Sequence, residues 1–306
     1  GFALSRETGL VGFVFEFVCS VVNFFTEFFS RALIGVAGCE TECAKTEQNC
    51  NKWLFHFHNS FISQPPERRR PPANVCVGVW FQRSRIGLTS PYTPPAEMPT
   101  ILHVDDWLIV AEKPAELLSV PGRGPEKADC ARTRIQQTYP DALTVHRLDM
   151  STSGLLLFAR SKHVQRALSA EFEQGRVHKT YLADVWQPPV EYSGLIDLPL
   201  VNDWPNRPRQ KVDHETGKPS QTRFQVLTRH AQAARVQLTP LTGRTHQLRV
   251  HLAALGHPIL GDDLYAHDDA LYMTSRLHLH ATELIFRHPG TDAAVTYQSP
   301  CPFETP

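Results

Sequence analysis

A polar loop that runs directly into a fully apolar segment is the feature that most constrains how this chain folds. Residues 146–154 read His-Arg-Leu-Asp-Met-Ser-Thr-Ser-Gly, and Leu155-Leu156-Leu157-Phe158 follow at once. Consecutive large apolar residues bounded by turn-forming residues predict a short buried strand. The loop in front of it is therefore pinned against the core. A carboxylate on such a loop, here Asp149, suits nucleophilic or general-base chemistry, although an isolated aspartate more often serves as a turn or cap residue.

Regular patterns surround this loop from about residue 100 onward. Further strands are predicted at Ile101–Ala111 (a hairpin), Thr180–Trp186 and Arg235–Leu241. Helices are predicted at residues 126–139, at residues 161–175 with Ser161 as the cap, and after Thr245 as the cap, ending at Gly256. Strands and helices mix without a βαβ rhythm. This favours an α+β fold, with a mixed, mostly antiparallel central sheet and flanking helices and loops.

Residues 1–87 differ in composition from the rest of the chain. A Phe- and Val-rich segment at residues 9–30 is followed by a stretch rich in Pro and Arg, and the first methionine is Met98. The Phe-rich segment has three interpretations: a membrane-spanning helix, a signal peptide, or a stretch outside the mature protein. Glu16 interrupts the apolar run, which disfavours a spanning helix, and the start lacks a clear basic region. We expect an over-extended start or a disordered extension here.

Charge and cysteine content limit the classes of partner and cofactor. Lys and Arg together equal Asp and Glu, at 31 each, so an RNA partner would have to be bound by local positive charge. Zinc-ligand spacings, a P-loop and a Rossmann fingerprint are all absent from the sequence, so no motif indicates a metal or a cofactor. Only Cys130 and Cys301 follow residue 77, which is typical of a reduced, cytoplasmic domain.

Two further segments carry residues suited to chemistry. Arg249 lies one turn beyond His246 on the last predicted helix. A buried arginine needs an anionic partner, and Asp149 is the partner we expect; the alternative is a solvated arginine on a helix surface. Tyr181 points to the same face of its strand as Ala183. An inward tyrosine is usually a core residue, but it can also form a platform on which a base stacks.

Together these segments resemble the RluA family of pseudouridine synthases. The family's HRLD-x-x-TSG-LLLFA, KxYxAxV, GR-x-HQLR-x-H and G-x-PI-x-GD motifs are matched at residues 146–159, 179–185, 243–251 and 256–262. The resemblance implies the pseudouridine synthase fold over residues 88–306 and isomerisation of uridine to pseudouridine in RNA, with no metal and no cofactor required. Residues 198–219 are similar to those family members that lack the S4 RNA-binding module and act on both 23S rRNA and tRNA. This similarity implies two targets, uridine 746 of 23S rRNA and uridine 32 of the tRNA anticodon stem-loop. A monomer is expected.

The resemblance also implies roles for individual residues. Asp149 is the catalytic carboxylate. Its role has two alternatives, attack on C1′ of the ribose or removal of the C2′ proton. Tyr181 stacks on the target uracil, and Arg249 pairs with Asp149. Arg147 enters the space left by the flipped base. Substrate-binding roles are further expected for His146, Thr152, Arg244, His246, Gln247, Leu279, Arg207 and Lys211.

Three rival interpretations remain open. A carboxylate-dependent glycosidase would need a second, separated acid, and no second acid stands in a comparable motif. A non-catalytic RNA-binding protein would be favoured if Asp149, Tyr181 or Arg249 were missing, and all three are present. The same chemistry at a different rRNA or tRNA uridine is the third.

Overall fold

The computed structural model describes residues 91–304, so the predicted extension over residues 1–87 lies outside the described residues. The strands are β1 (Thr100–Val104), β2 (Leu108–Lys113), β3 (Leu143–Thr144), β4 (Ser153–Ala159), β5 (His178–Trp186), β6 (Ser193–Asp197), β7 (Leu200–Asn202), β8 (Gln210–Val212), β9 (Gln221–Arg229), β10 (Ala233–Pro240), β11 (Leu279–Arg287) and β12 (Ala294–Gln298). The helices are α1 (Ala131–Gln136), α2 (Lys162–Glu173), α3 (Gln247–Ala254) and α4 (Asp268–Tyr272).

Within this part of the chain, ten strands form one mixed sheet. The order is β1-β2-β4-β11-β5-β10-β9-β6, with β3 also paired to β4 and β12 to β11. The pairs run antiparallel except β4 and β11, which are parallel where Ser153 and Gly154 face His280 and Ala281. Strands β7 and β8 form a separate hairpin. This arrangement matches the predicted mixed, mostly antiparallel sheet.

Strand β4 explains the apolar run in the sequence. All seven of its residues are buried, because helices cover both faces of the sheet at this position. Leu155 and Leu157 pack in a cluster with Val164 and Leu168 of α2. Leu156 and Phe158 pack in a second cluster, which includes residues of α1. A strand covered on both faces has no polar side and therefore reads as a continuous apolar run.

Two helices differ from the sequence-based expectation. The helix predicted over residues 126–139 begins only at Ala131, since Cys130 has an extended backbone (φ −162°) and accepts a hydrogen bond as the N-cap residue. The predicted cap Thr245 is wrong, because α3 begins after His246, whose backbone is left-handed (φ 54°). The Ser161 cap is confirmed, and its hydroxyl accepts the N–H of Val164 at 3.3 Å.

Candidate active site

The loop that carries Asp149 lies where β4 and β11 run in parallel. Gly154, at the start of β4, has a φ of 111°, and a Cβ there would lie 2.3 Å from the carbonyl oxygen of Ala281. Only glycine lets β11 approach this closely. The close approach fixes the position of the loop, because the strand that follows it is held on both sides.

Two buried side chains hold the residues on either side of Asp149. The Lys113 ammonium group donates to the carbonyl oxygens of Pro114, Leu117 and Met150 at 2.8, 2.7 and 2.9 Å. The Ser119 hydroxyl donates to the carbonyl of Leu148 at 2.7 Å and accepts its N–H at 3.0 Å. The backbone is thus anchored immediately before and after Asp149, whose side chain is 27% exposed.

Neither the contact of Lys113 nor that of Ser119 was predicted from the sequence. The signal for Lys113 is a lysine at the end of an otherwise largely apolar strand, since lysine is almost never fully buried without partners. Burial lowers the pKa of Lys113 to about 7, although the charges of Glu116 and Asp149 act to raise it. The three carbonyl acceptors match the three N–H donors of a lysine ammonium group.

Arg249 lies on α3 and is 2% exposed. Its main partner is Asp262: Nε and Nη2 donate to the two carboxylate oxygens at 2.8 and 2.7 Å. Nη2 also donates to Asp263 at 3.0 Å, and Nη1 lies 3.9 Å from Oδ2 of Asp149. Burial acts to lower the pKa of Arg249, but the Asp262 carboxylate outweighs it and the net direction is upward. The expected pairing with Asp149 is therefore a longer contact beside a bidentate pair with Asp262.

Asp262 was not singled out in the sequence, although it ends the G-x-PI-x-GD motif. Its Oδ1 also accepts the N–H groups of Leu264 and Tyr265 at 2.9 and 3.0 Å. Gly261 has a φ of 72°, and a Cβ there would lie 2.0 Å from the carbonyl oxygen of Arg276. The motif therefore builds a tight turn whose carboxylate is fixed before it meets Arg249.

His246 approaches the other oxygen of Asp149. Its Nε2 lies 3.9 Å from Oδ1 of Asp149, and its Nδ1 lies 2.7 Å from the hydroxyl of Tyr265. Burial lowers the pKa of His246, although the charge of Asp149 acts to raise it, so the ring is neutral at physiological pH. Its left-handed backbone is a conformation that non-glycine residues occupy mainly where the surroundings enforce it.

Tyr181 and Leu279 lie on neighbouring strands. Tyr181 is half-buried on β5, and it packs against two hydrophobic clusters, one of which contains Leu279. Leu279 itself is 3% exposed and faces Ala183 of β5. Burial raises the pKa of Tyr181, and the nearby charge of Asp149 adds to the rise. The phenol is therefore protonated, and it lies near enough to Asp149 for the charge of that carboxylate to affect its pKa.

Two of the predicted substrate-binding residues have hydrogen-bonding groups engaged within the protein. The amide of Gln247 accepts from Thr242 and from the Arg244 N–H, and it donates to the carbonyl oxygen of Gln221 and the hydroxyl of Thr222. His146 Nε2 accepts the N–H of Leu157 at 3.1 Å, and its ring stacks on Phe172. Burial lowers the pKa of His146 to about 3. Both residues support the site from behind, and their substrate-binding roles stay predictions.

The remaining predicted residues lie in the loop or on the surface. Thr152 is buried and donates its N–H to the carbonyl oxygen of Asp149 at 3.2 Å. Arg147 is exposed beside Asp149, and the exposed Arg244 donates to the carbonyl of Pro219. Arg207 and Lys211 are exposed on the β7–β8 hairpin, and the Arg207 guanidinium lies 4.2 Å from the ring centre of Trp204.

The β7–β8 hairpin is joined to the site through Tyr265. The N–H of Gln210 donates to the Tyr265 hydroxyl at 2.8 Å, and the Arg209 guanidinium lies 5.3 Å from the centre of its ring. Since Tyr265 also bonds to His246, a chain of contacts runs from the hairpin to Asp149. The hairpin therefore places the positive charge of Arg209 against the ring of Tyr265.

Residues 91–304 lack two kinds of feature. No group of three His, Cys, Asp or Glu side chains in this part is arranged to hold a metal ion. None of the helices described is both long and apolar enough to cross a membrane.

Comparison with known proteins agrees with the geometry. The family model for RNA pseudouridylate synthase matches residues 107–254. The dual-specificity RNA pseudouridine synthase RluA of Vibrio vulnificus is 52% identical over 218 residues, covering 69% of this chain and 87% of the relative. The Escherichia coli K12 protein of the same name is 51% identical over 214 residues, covering 69% and 98%. The solved structure of human RNA pseudouridylate synthase domain containing 1 aligns with a TM-score of 0.58 at 29% identity, over 69% of this chain and 88% of the human chain.

The fold and the matched family model are those of an RNA pseudouridine synthase. Within that class, the chain belongs to the RluA family. The predicted fold class, the enzyme class and RNA as the class of substrate are thereby confirmed.

Proposed function

We propose that this enzyme isomerises uridine 746 of 23S rRNA and uridine 32 of the tRNA anticodon stem-loop, with Asp149 as the catalytic carboxylate. The choice of RNA sites is supported by about half of the aligned residues being identical to relatives named as dual-specificity enzymes. It is also supported by the likeness of residues 198–219 to the members that act on both RNAs. We further propose that the enzyme works as a monomer in the cytoplasm.

The observation that carries the role of Asp149 is its setting. It is a partly exposed carboxylate on a loop anchored by Lys113 and Ser119, with one donor group near each of its oxygens. A fixed carboxylate that is open to solvent on one side can act on the ribose of a bound nucleotide, by attack on C1′ or by removal of the C2′ proton. The N1–C1′ bond breaks, the uracil turns, and a C5–C1′ bond forms. The C5 proton leaves and N1 takes up a proton, so the product is an isomer of uridine.

The aromatic ring of Tyr181 is suited to hold the uracil while it turns. A base removed from its helix loses its stacking partners, at a cost of a few kcal/mol, and an aromatic side chain replaces part of that stacking. Arg147, beside Asp149, fills the space that the base leaves. Arg207, Lys211 and Arg244 contact phosphates, since exposed basic side chains supply most of the affinity for RNA backbones.

The experiment uses strains that lack their own enzyme for these two uridines. The chain is expressed in them, and pseudouridine is mapped in 23S rRNA and tRNA. We expect both uridines to be restored by the wild type and neither by Asp149→Asn. Asp106→Asn, an exposed aspartate on the turn between β1 and β2, is the matched control and should restore both. Modification at other uridines alone would refute the RNA sites, and activity of Asp149→Asn would refute the catalytic role.

A further inference from the structure

The hydroxyl of Tyr265 has two neighbours with different hydrogen-bonding needs. The backbone N–H of Gln210, at 2.8 Å, can only donate to it. Nδ1 of His246, at 2.7 Å, either donates or accepts according to the tautomer of the ring. Burial raises the pKa of Tyr265 to about 12, so the phenol keeps its proton at physiological pH. Among the residues described, His246 Nδ1 is the acceptor that lies within reach of this proton.

The opposite side of the His246 ring leads to the same tautomer. Nε2 lies 3.9 Å from Oδ1 of Asp149. An N–H at this position is attracted by the carboxylate, whereas a lone pair would be repelled by it. Both sides of the ring are therefore satisfied together only if Nδ1 accepts from Tyr265 and Nε2 carries the hydrogen. The tautomer of a histidine is commonly set in this way by the partner of its second nitrogen.

We propose that Tyr265 is a positioning residue for the isomerisation: its hydroxyl holds His246 in the Nε2–H tautomer and so directs a neutral donor at Oδ1 of Asp149. Arg249 Nη1 faces Oδ2 from another side, so the carboxylate is oriented by two donors. This role requires the two distances of 3.9 Å to shorten to hydrogen bonds when substrate binds, as is common for catalytic groups. This proposal rests on the proposed catalytic role of Asp149.

The ring of Tyr265 is well held for this purpose. The guanidinium groups of Arg209 and Arg249 each lie 5.3 Å from its centre, within the range of cation–π attraction. Its backbone N–H donates to Asp262 at 3.0 Å, the same carboxylate that fixes Arg249. One turn of chain therefore positions both donors of Asp149.

The first test measures the tautomer directly and needs no activity. Long-range ¹H–¹⁵N spectra of the full-length ¹⁵N-labelled protein at pH 7 report which imidazole nitrogen carries hydrogen, and the His246→Gln spectrum identifies the signals of His246. We expect a single Nε2–H form in the wild type and a mixture in Tyr265→Phe, which keeps the ring but lacks the hydroxyl. Tyr192→Phe, which removes an exposed hydroxyl, should leave the spectrum unchanged. A single Nε2–H form in Tyr265→Phe would overturn the proposal.

The second test is a double-mutant cycle on turnover. Tyr265→Phe is expected to lower kcat about tenfold through misorientation of the donor, with KM for RNA changed less than about twofold. Glutamine at position 246 places an amide N–H near the position of Nε2 and has no tautomers. Tyr265→Phe should therefore have little further effect on kcat in the His246→Gln background. Equal losses in the two backgrounds would show that Tyr265 supports the fold only. Full turnover of Asp149→Asn would instead refute the catalytic assignment, whatever tautomer the spectra report.

Discussion

The loop that carries Asp149 and the β7–β8 hairpin meet at one site but are held in opposite ways. The loop is anchored by buried groups, namely the ammonium group of Lys113 and the hydroxyl of Ser119. The hairpin presents exposed Arg207, Lys211 and Trp204, and it is joined to the site through the N–H of Gln210. A reacting carboxylate has to be placed to within a fraction of an ångström. Charges that attract a phosphate backbone act over several ångströms and tolerate movement.

This contrast predicts that changes to the buried groups that anchor the site lower both stability and turnover, whereas changes to the exposed basic side chains of the hairpin alter only RNA binding. The following variants test the contrast from the largest expected effect to the smallest.

Asp262→Asn should have the largest effect, because it leaves the charge of Arg249 buried without its bidentate partner. Loss of one member of a buried pair costs about 3 to 5 kcal/mol, measured here as the free energy of unfolding in urea. We expect kcat to fall at least tenfold, as Arg249 Nη1 loses its orientation toward Asp149. Asp263→Asn is the control, since that carboxylate is 24% exposed and makes a single contact with Arg249. An equal loss in the free energy of unfolding for the two variants would contradict the assignment of Asp262 as the main partner of Arg249.

Lys113→Met should cost about 2 to 4 kcal/mol, because three carbonyl groups, one buried and two partly buried, lose their donors. The difference from the wild type should also depend on pH. The pKa of Lys113 is about 7 in the folded protein, against 10.5 for an ordinary lysine. Between these values the unfolded chain binds more protons, so the contribution of Lys113 to wild-type stability rises with pH.

Urea unfolding of both proteins between about pH 6 and pH 9 measures this dependence. We expect the wild type to gain about 2 to 3 kcal/mol over Lys113→Met across that range. A constant difference would mean that Lys113 keeps its ordinary pKa, with its charge fully compensated by the three carbonyl groups.

Arg207→Ala should have the smallest effect on the protein itself. The side chain is exposed, so the free energy of unfolding should change by less than about 0.5 kcal/mol. Affinity for RNA should fall, and the slope of log affinity against log salt should decrease by about one. Filter binding at several salt concentrations measures both. The exposed Arg166 on α2 is the control for loss of one positive charge, and a similar loss with Arg166→Ala would remove the special role of the hairpin.

Local patterns were sufficient to predict much of this molecule. The apolar run at residues 155–158 is a buried strand, Ser161 caps α2, and the predicted strands near residues 180 and 235 are β5 and β10. These features depend on residues close together in sequence. The wrong Thr245 cap has a local cause too: the left-handed backbone of His246 is not encoded by any common capping pattern.

The sequence by itself determined that Asp149 sits on a polar loop before a buried strand, and that Arg249 lies on a helix whose inner face is apolar. It did not determine which residues form hydrogen bonds or ion pairs with them. Lys113 reaches Met150 across 37 residues, and Asp262 reaches Arg249 across a turn shaped by contact with Arg276. Differences of a few tenths of an ångström decide which carboxylate pairs with the buried guanidinium of Arg249. They also decide which nitrogen of His246 carries the hydrogen. Only the packed sheet and helices fix distances on that scale, because close packing leaves each side chain one arrangement.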